Sequence, residues 1–162
     1  SEVPILDFDY CESNCLIASA KRNGFVSFWD LETRKIVANR KKHCGHATTV
    51  KSFEYMNKCC VLSGGQDGYV SLFDTRSSSN NLMRFPAHRS ENGAGALCGI
   101  ITVNENTFFS YGADSIITVT DVRKGIEHRF LSHQNNFIYN VIFSNNILIS
   151  GGGNGVVLFH NL

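Results

Sequence analysis

Apolar and polar residues alternate along Thr49-Val50-Lys51-Ser52-Phe53-Glu54-Tyr55, the pattern of a strand with one buried face. Cys59-Cys60-Val61-Leu62-Ser63 follows as a shorter, nearly all-apolar run, which predicts a strand covered on both faces. Asp67-Gly68 then supplies a hairpin turn, since Gly tolerates positive φ and Asp visits it. A third strand is expected over Tyr69 to Asp74, and a looser segment from Asn81 to Phe85 fits an outer edge strand. The third-strand pattern recurs without a gap at Asn23 to Asp30, Asp67 to Asp74, Asp114 to Asp121 and Asn154 to Asn161. Its turn residue moves from 23 to 67 to 114 to 154, and a serine four places earlier (Ser19, Ser63, Ser110, Ser150) moves by the same steps of 44, 47 and 40. Val26, Val70, Ile117 and Val157 form one column, and Phe28, Leu72, Val119 and Phe159 form another two residues on, so both columns face the same side.

Self-similarity at this period predicts an all-β repeat array in which each unit is a four-stranded antiparallel sheet. One such sheet cannot bury its own apolar face and must stack on a neighbour, so the expected architecture is a set of β-propeller blades. The units span about 3–39, 46–85, 88–130 and 133–162, and the last lacks an outer strand. Four open blades would leave raw edges and apolar faces. Together with the absence of an initiator Met, this leads to the expectation of an incomplete ring whose remaining blades come from sequence outside this chain.

The repeats resemble those of the WD-repeat β-propeller family. The family dipeptide stands as Trp29-Asp30 and, in altered form, as Phe73-Asp74, Thr120-Asp121 and His160-Asn161. Its Gly-His element has counterparts in Gly45-His46, Ala87-His88 and Ser132-His133. The resemblance implies a ring that is typically seven-bladed, and in each repeat a structural hydrogen-bonded chain of His, turn Asp, strand Ser and Trp. Carried onto this sequence, it assigns His46, Asp67 and Ser63 to the second repeat and His88, Asp114 and Ser110 to the third. The fourth receives His133, Asn154 and Ser150, and the first Ser19 and Trp29.

Composition narrows the remaining possibilities. The 162 residues are 43% hydrophobic and 18% charged, which is globular material. A formal charge of +1 gives no global field toward nucleic acid or anionic membrane, and no apolar run reaches membrane-spanning length. The six cysteines include the adjacent pair Cys59-Cys60, which face opposite sides of a strand. Their spacing predicts reduced thiols in a cytoplasmic or nuclear protein.

The serine, histidine and aspartate of the repeats invite a catalytic reading, but one active site needs one constellation and these recur in every repeat. His43-Cys44-Gly45-His46 lacks the paired spacing of a zinc site, and Gly151 to Gly155 lies between strands with no helix to cradle phosphate. No catalytic residue, metal or cofactor is expected. The candidate contact residues are Arg22, Arg40, Lys41, Lys42, Gln66 and Arg89 on the loops, with the basic run suited to an acidic or phosphorylated partner. Asp74-Thr75-Arg76 and Asp121-Val122-Arg123 resemble the Asp-x-Arg box of propellers that serve as substrate receptors of cullin-type ubiquitin ligases, in which Arg76 and Arg123 would dock the adaptor. The function expected is a non-catalytic protein–protein interaction scaffold within a larger assembly, with the ligase receptor as its alternative.

Overall fold

The computed structural model describes residues 2–75, 82–90 and 93–161. The first sheet joins β1 (Ile5–Cys11), β2 (Leu16–Lys21), β3 (Phe25–Asp30) and β4 (Lys35–Lys41) in chain order. The second joins β5 (Ala47–Tyr55), β6 (Lys58–Gly65), β7 (Val70–Asp74) and β8 (Met83–Phe85). A two-stranded hairpin, β9 (Arg89–Ser90) and β10 (Gly93–Ala94), precedes the third sheet of β11 (Leu97–Thr102), β12 (Thr107–Gly112), β13 (Ile116–Asp121) and β14 (Gly125–Leu131). The fourth has β15 (Ile138–Ser144), β16 (Ile147–Gly152) and β17 (Val157–Asn161). The fold is therefore all-β, built from antiparallel meanders that do not close into a ring.

Several details differ from the sequence expectation. The first unit, expected from about residue 3, has its first strand from Ile5 to Cys11, where pairing with Leu16 closes a tight turn at Glu12–Asn14. The outer strand of the second sheet is only Met83–Phe85, and Asn81 lies outside the described residues. The linker that carries Arg89 contains the small hairpin β9–β10.

Every first strand carries a register shift at the same place: Ile5/Asp7, Ala47/Thr49, Leu97/Gly99 and Ile138/Asn140. A repeated bulge adds local right-handed twist, which lets each sheet fan away from the last.

Three dry layers lie between consecutive sheets. Ala18, Val26 and Phe28 of the first sheet meet Val50, Val61 and Phe73 of the second. Leu62, Leu72 and Phe85 of the second meet Ile100 and Phe108 of the third. Phe109, Ile117 and Val119 of the third meet Ile138, Val141 and Leu148 of the fourth. Edge-to-face rings bridge each layer: Phe28 to Phe73 at 5.7 Å, Phe85 to Phe108 at 5.7 Å and Phe109 to Phe143 at 5.2 Å.

Polar bonds reinforce the first layer near the axis. Asp7 accepts from the Thr49 hydroxyl at 2.8 Å and the Val50 amide at 3.0 Å. Asp9 accepts from the Ser52 amide at 2.7 Å and from Lys51 at 3.1 Å.

The columns that face a neighbour in the inner sheets face solvent at the open end, where Phe159 is 69% exposed while Leu72 of the same column is 0% exposed, as is Phe108 in the layer that Leu72 joins. Phe108→Ala is therefore expected to cost about 3–4 kcal/mol of folding free energy, and Phe159→Ala less than about 1 kcal/mol, in urea unfolding of the two variants.

Candidate functional site

In an antiparallel meander the turn between the second and third strands and the linker to the next sheet fall on one face. We call this the upper face. The polar sets that organise it are buried between strand, turn and linker. In the second sheet the His43 ring nitrogens lie 2.9 Å from Asp67 Oδ1 and 2.8 Å from Ser63 Oγ. The carboxylate fixes Nδ1 as the protonated nitrogen, so Nε2 accepts from the serine hydroxyl. Asp67 also accepts from the Cys44 amide at 3.0 Å, the Tyr69 amide at 3.3 Å and Arg84 at 2.9 Å. Burial alone would raise the Asp67 pKa, but these bonds, led by that from His43, outweigh it and hold the carboxyl below its ordinary range.

The set corrects one residue. The ring that joins Ser63 and Asp67 is His43, not His46. His46 abuts the first residue of β5 and has no linker left to turn back into the sheet. Its backbone carbonyl instead accepts from the Gln66 amide at 2.9 Å. A glycine stands two residues after each of Ser63, Ser110 and Ser150 and marks where a ring packs, though not which histidine supplies it. A Cβ at Gly65 would lie 2.4 Å from the His43 ring, and one at Gly152 would lie 2.5 Å from the His133 ring. The glycine makes room for the histidine.

In the third sheet His88 stands 2.9 Å from Asp114 and 3.0 Å from Ser110, whose Oγ lies 2.5 Å from Thr118 Oγ1. Thr120, in the place of the tryptophan, is buried with an unpartnered hydroxyl. In the fourth, His133 reaches Asn154 at 3.1 Å and Ser150 at 3.0 Å. His160 takes the tryptophan's part there, its Nε2 2.9 Å from Ser150 Oγ, a role the sequence reading missed. Burial first, and then His133 nearby, lower the His160 pKa and keep that ring neutral. In the first sheet Trp29 donates to Ser19 at 2.9 Å, and Ser19 donates to the Ser27 carbonyl at 3.3 Å. Ser19, Ser63, Ser110 and Ser150 are all buried.

The candidate contact residues divide. Arg22, Gln66 and Arg89 are exposed on the upper face. Lys41 folds back onto the carbonyl of Asn23, beside the Arg22 turn. Arg40 instead donates to the Asp74 carbonyl at 3.2 Å, joining the first two sheets. Lys42 packs over the Phe73 ring at 4.8 Å, and burial lowers its pKa. The expected basic run is thus split, because alternate residues of an outer strand point to opposite sides. On the lower face Arg123 grips Asp121 through two nitrogens at 2.9 and 3.2 Å. That contact first, with the Arg123 amide helping, lowers the Asp121 pKa to about 2. Arg76 lies outside the described residues. Among the described residues no cluster of three His, Cys, Asp or Glu side chains is placed to hold a metal, and no helix is long and apolar enough to cross a membrane.

No family model matches the chain. Among curated proteins it is 36% identical to the GATOR2 complex protein Wdr24 of Drosophila melanogaster over 70 residues, and 35% identical to the protein transport protein SEC31 of Kluyveromyces lactis over 69. These matches cover 40% and 43% of the chain. It is 22% identical to the APC/C activator protein CDC20 of Saccharomyces cerevisiae over 154 residues, 92% of the chain. The solved Mitotic Checkpoint Complex contains a chain that superposes on 98% of this one with a TM-score of 0.82 at 17% identity. The chain is thus similar to WD-repeat proteins in sequence, and its sheets are β-propeller blades in fold. The computationally designed Ika4 protein matches the whole of this propeller segment with a TM-score of 0.82, at 21% identity and over 93% of its own chain. The segment spans 9%, 24% and 6% of Wdr24, CDC20 and SEC31, and 48% of the checkpoint-complex chain.

Two outcomes follow for these blades. His43→Ala is expected to lose about 2–4 kcal/mol in urea unfolding, since it leaves Asp67 and Ser63 buried without their partner, while His46→Ala stays within about 0.5 kcal/mol. Asp121 has a depressed folded-state pKa, so its stabilising contribution is full above the ordinary carboxylate value of 3.8 and disappears as pH falls through about 2. The advantage of the wild type over Asp121→Asn should accordingly be present at pH 5 and shrink on titration to pH 2, read from unfolding midpoints.

Proposed function

We propose that this segment is a non-catalytic protein–protein interaction scaffold, acting as part of a larger assembly. The observation that carries this reading is the use made of the reactive side chains. The Ser63–His43–Asp67 set and its counterparts are buried, recur blade after blade, and tie each linker to its neighbouring turn. They hold the upper loops in place and present no nucleophile to solvent. What the propeller offers outward is a preorganised rim, and rigid rims lower the ordering cost of binding.

Two further parts of the reading have their own support. The remaining blades come from the rest of a longer polypeptide, as the exposed Phe8 and Phe159 at the two ends call for covering sheets. The protein works in a reducing compartment, cytoplasm or nucleus, consistent with six cysteines that are all free thiols. The relatives lend general support, since Wdr24 is a GATOR2 complex protein.

Affinity capture of the full-length native protein tests the scaffold. Stable co-purifying proteins at stoichiometric yield are expected, and capture should survive Ser110→Ala, which removes a hydroxyl that an enzyme reading would need. A captured protein with hydrolytic activity abolished by that substitution would overturn the proposal.

A second reading, the cullin-type ligase receptor, draws support from Arg123, whose side chain is 58% exposed and held rigid by Asp121 on the lower face. It requires that Arg76→Ala with Arg123→Ala abolish pull-down of the ligase adaptor. Unchanged pull-down, or none by the wild type, removes it.

A further inference from the structure

A net charge of +1 conceals a separation of charge between the two faces of the propeller. Arg22 lies in the turn after β2, Lys41 ends β4, Arg84 sits within β8 and Arg89 opens β9. Arg129, near the end of β14, lines with Arg89 a cleft of about 430 Å³ on the upper face. All five side chains belong to exposed residues. Glu12, Asp30, Glu32, Glu54, Glu105 and Glu127 sit at or beside turns of the opposite, lower face. There the cations Arg123 and Lys124 are paired with Asp121 and Glu127, and the exposed Arg34, Lys35 and Lys58 stand among the more numerous carboxylates.

The upper carboxylates are already committed. Asp67 is shared by His43, the Cys44 and Tyr69 amides and Arg84. Asp114 serves His88 and the Ile116 amide. Further in, Asp7 and Asp9 are held by β5. Among the described residues Glu2, at the start of the chain, is the remaining upper carboxylate.

The cations form one arc. Lys41 reaches the Arg22–Gly24 turn, and the linker after Lys41 meets Asp67, which Arg84 also touches. Arg89 donates to the Asp67 carbonyl at 3.4 Å, and beyond it stands Arg129, which donates to the Pro86 carbonyl at 2.6 Å. In the middle of the arc two guanidinium groups approach the Tyr69 ring, Arg84 at 3.7 Å and Arg89 at 5.1 Å from its centre. Arg84 is paired with the Asp67 carboxylate, whereas Arg89 reaches only the Asp67 backbone carbonyl. Two like charges against one ring thus have a single carboxylate beside them and leave net positive charge for an anion.

Building on the scaffold reading, we infer that this upper arc, from Arg22 through Tyr69 to Arg129, is the docking face for a carboxylate-rich peptide segment. The spacing of the cations decides the chemistry. Apart from Arg84 and Arg89 at Tyr69, they stand on separate elements, the turn after β2, the end of β4 and β14, so they match charges spread along an extended chain better than a single phosphate dianion. Tyr69 is already engaged by two arginines, so it competes poorly as a platform for a nucleic-acid base. The small residues Gly93, Ala94, Gly95 and Ala96 lining the cleft between Arg89 and Arg129 leave room for a peptide backbone.

The test uses the wild-type protein and a fluorescein-labelled decaglutamate probe at 50 mM salt, read by fluorescence anisotropy. Saturable binding that weakens with added salt is expected. R22Q/R89Q/R129Q should weaken it about tenfold or more, whereas R22K/R89K/R129K, which keeps the charge, should stay within about threefold. The lower-face variant R34Q/K35Q/K58Q should change it less than twofold. Absence of binding by the wild type, equal weakening by the lower-face variant, or equal loss in the Lys and Gln variants overturns the inference. So does a phosphoserine peptide or single-stranded RNA of equal charge that binds tenfold tighter than decaglutamate. If decaglutamate fails to bind while the wild-type protein still captures its partners, the docking face falls and the scaffold reading stands.

Discussion

A thin antiparallel sheet with apolar side chains on both faces has no dry side of its own. This constraint organises the whole molecule. Val61 and Leu62 are neighbours in β6 and necessarily point in opposite directions. Val61 packs toward Phe28 of the sheet before it, and Leu62 toward Phe108 of the sheet after it. Each inner sheet therefore needs two partners, and the repeat is stable only as a stack. Burying a ring the size of Phe73 or Phe108 is worth roughly 2–3 kcal/mol by area, so each layer outweighs what any single polar contact contributes. At the two ends the same columns have no neighbour, and Phe8 and Phe159 stand exposed.

Polar groups inside such a stack call for partners, and the blades meet that demand differently, the third only in part. Where Asp67 and Asp114 serve the second and third blades, Asn154 serves the fourth with a neutral carbonyl. Trp29 donates to Ser19 in the first blade, and His160 Nε2 is hydrogen-bonded to Ser150 in the fourth. The third blade has Thr120 instead, and its hydroxyl stays unpaired, a local cost of about 1–3 kcal/mol that the surrounding layer absorbs. Because these bonds link the turn, the linker and the second strand, they also fix the geometry of the upper loops. Packing energy is thereby converted into a preorganised surface, which is where structure passes into function.

Much of this was legible in the residues. The turn glycines, the serine column and the two apolar columns follow from period-2 alternation and positive φ, which are local properties, and they located the four sheets. The strand ends were less legible, because the Glu12–Asn14 turn and the short β8 depend on pairing partners. The histidine of the second blade was misplaced by a dipeptide match. The choice between His43 and His46 rests on linker length and on space above Gly65, neither of which a motif encodes. The Asp7 and Asp9 contacts to β5 link residues some forty positions apart, so no local pattern announces them. Charge segregation was hidden for a related reason. A cation at residue 41 and another at 129 become neighbours in a surface only once the strand directions assign both to the upper face. Arg40 and Lys42 lay in the same basic run as Lys41, yet the blade layer claims them.

The claim on which all of this rests is that consecutive sheets hold each other through their facing side chains. A double-mutant cycle between Phe28 and Phe73, the edge-to-face pair that spans the first layer, measures that directly. Urea unfolding of the wild type, Phe28→Leu, Phe73→Leu and the double variant should give a coupling of about 0.5–1.5 kcal/mol. A coupling indistinguishable from zero would mean that the two rings do not meet and that the sheets are not stacked as described.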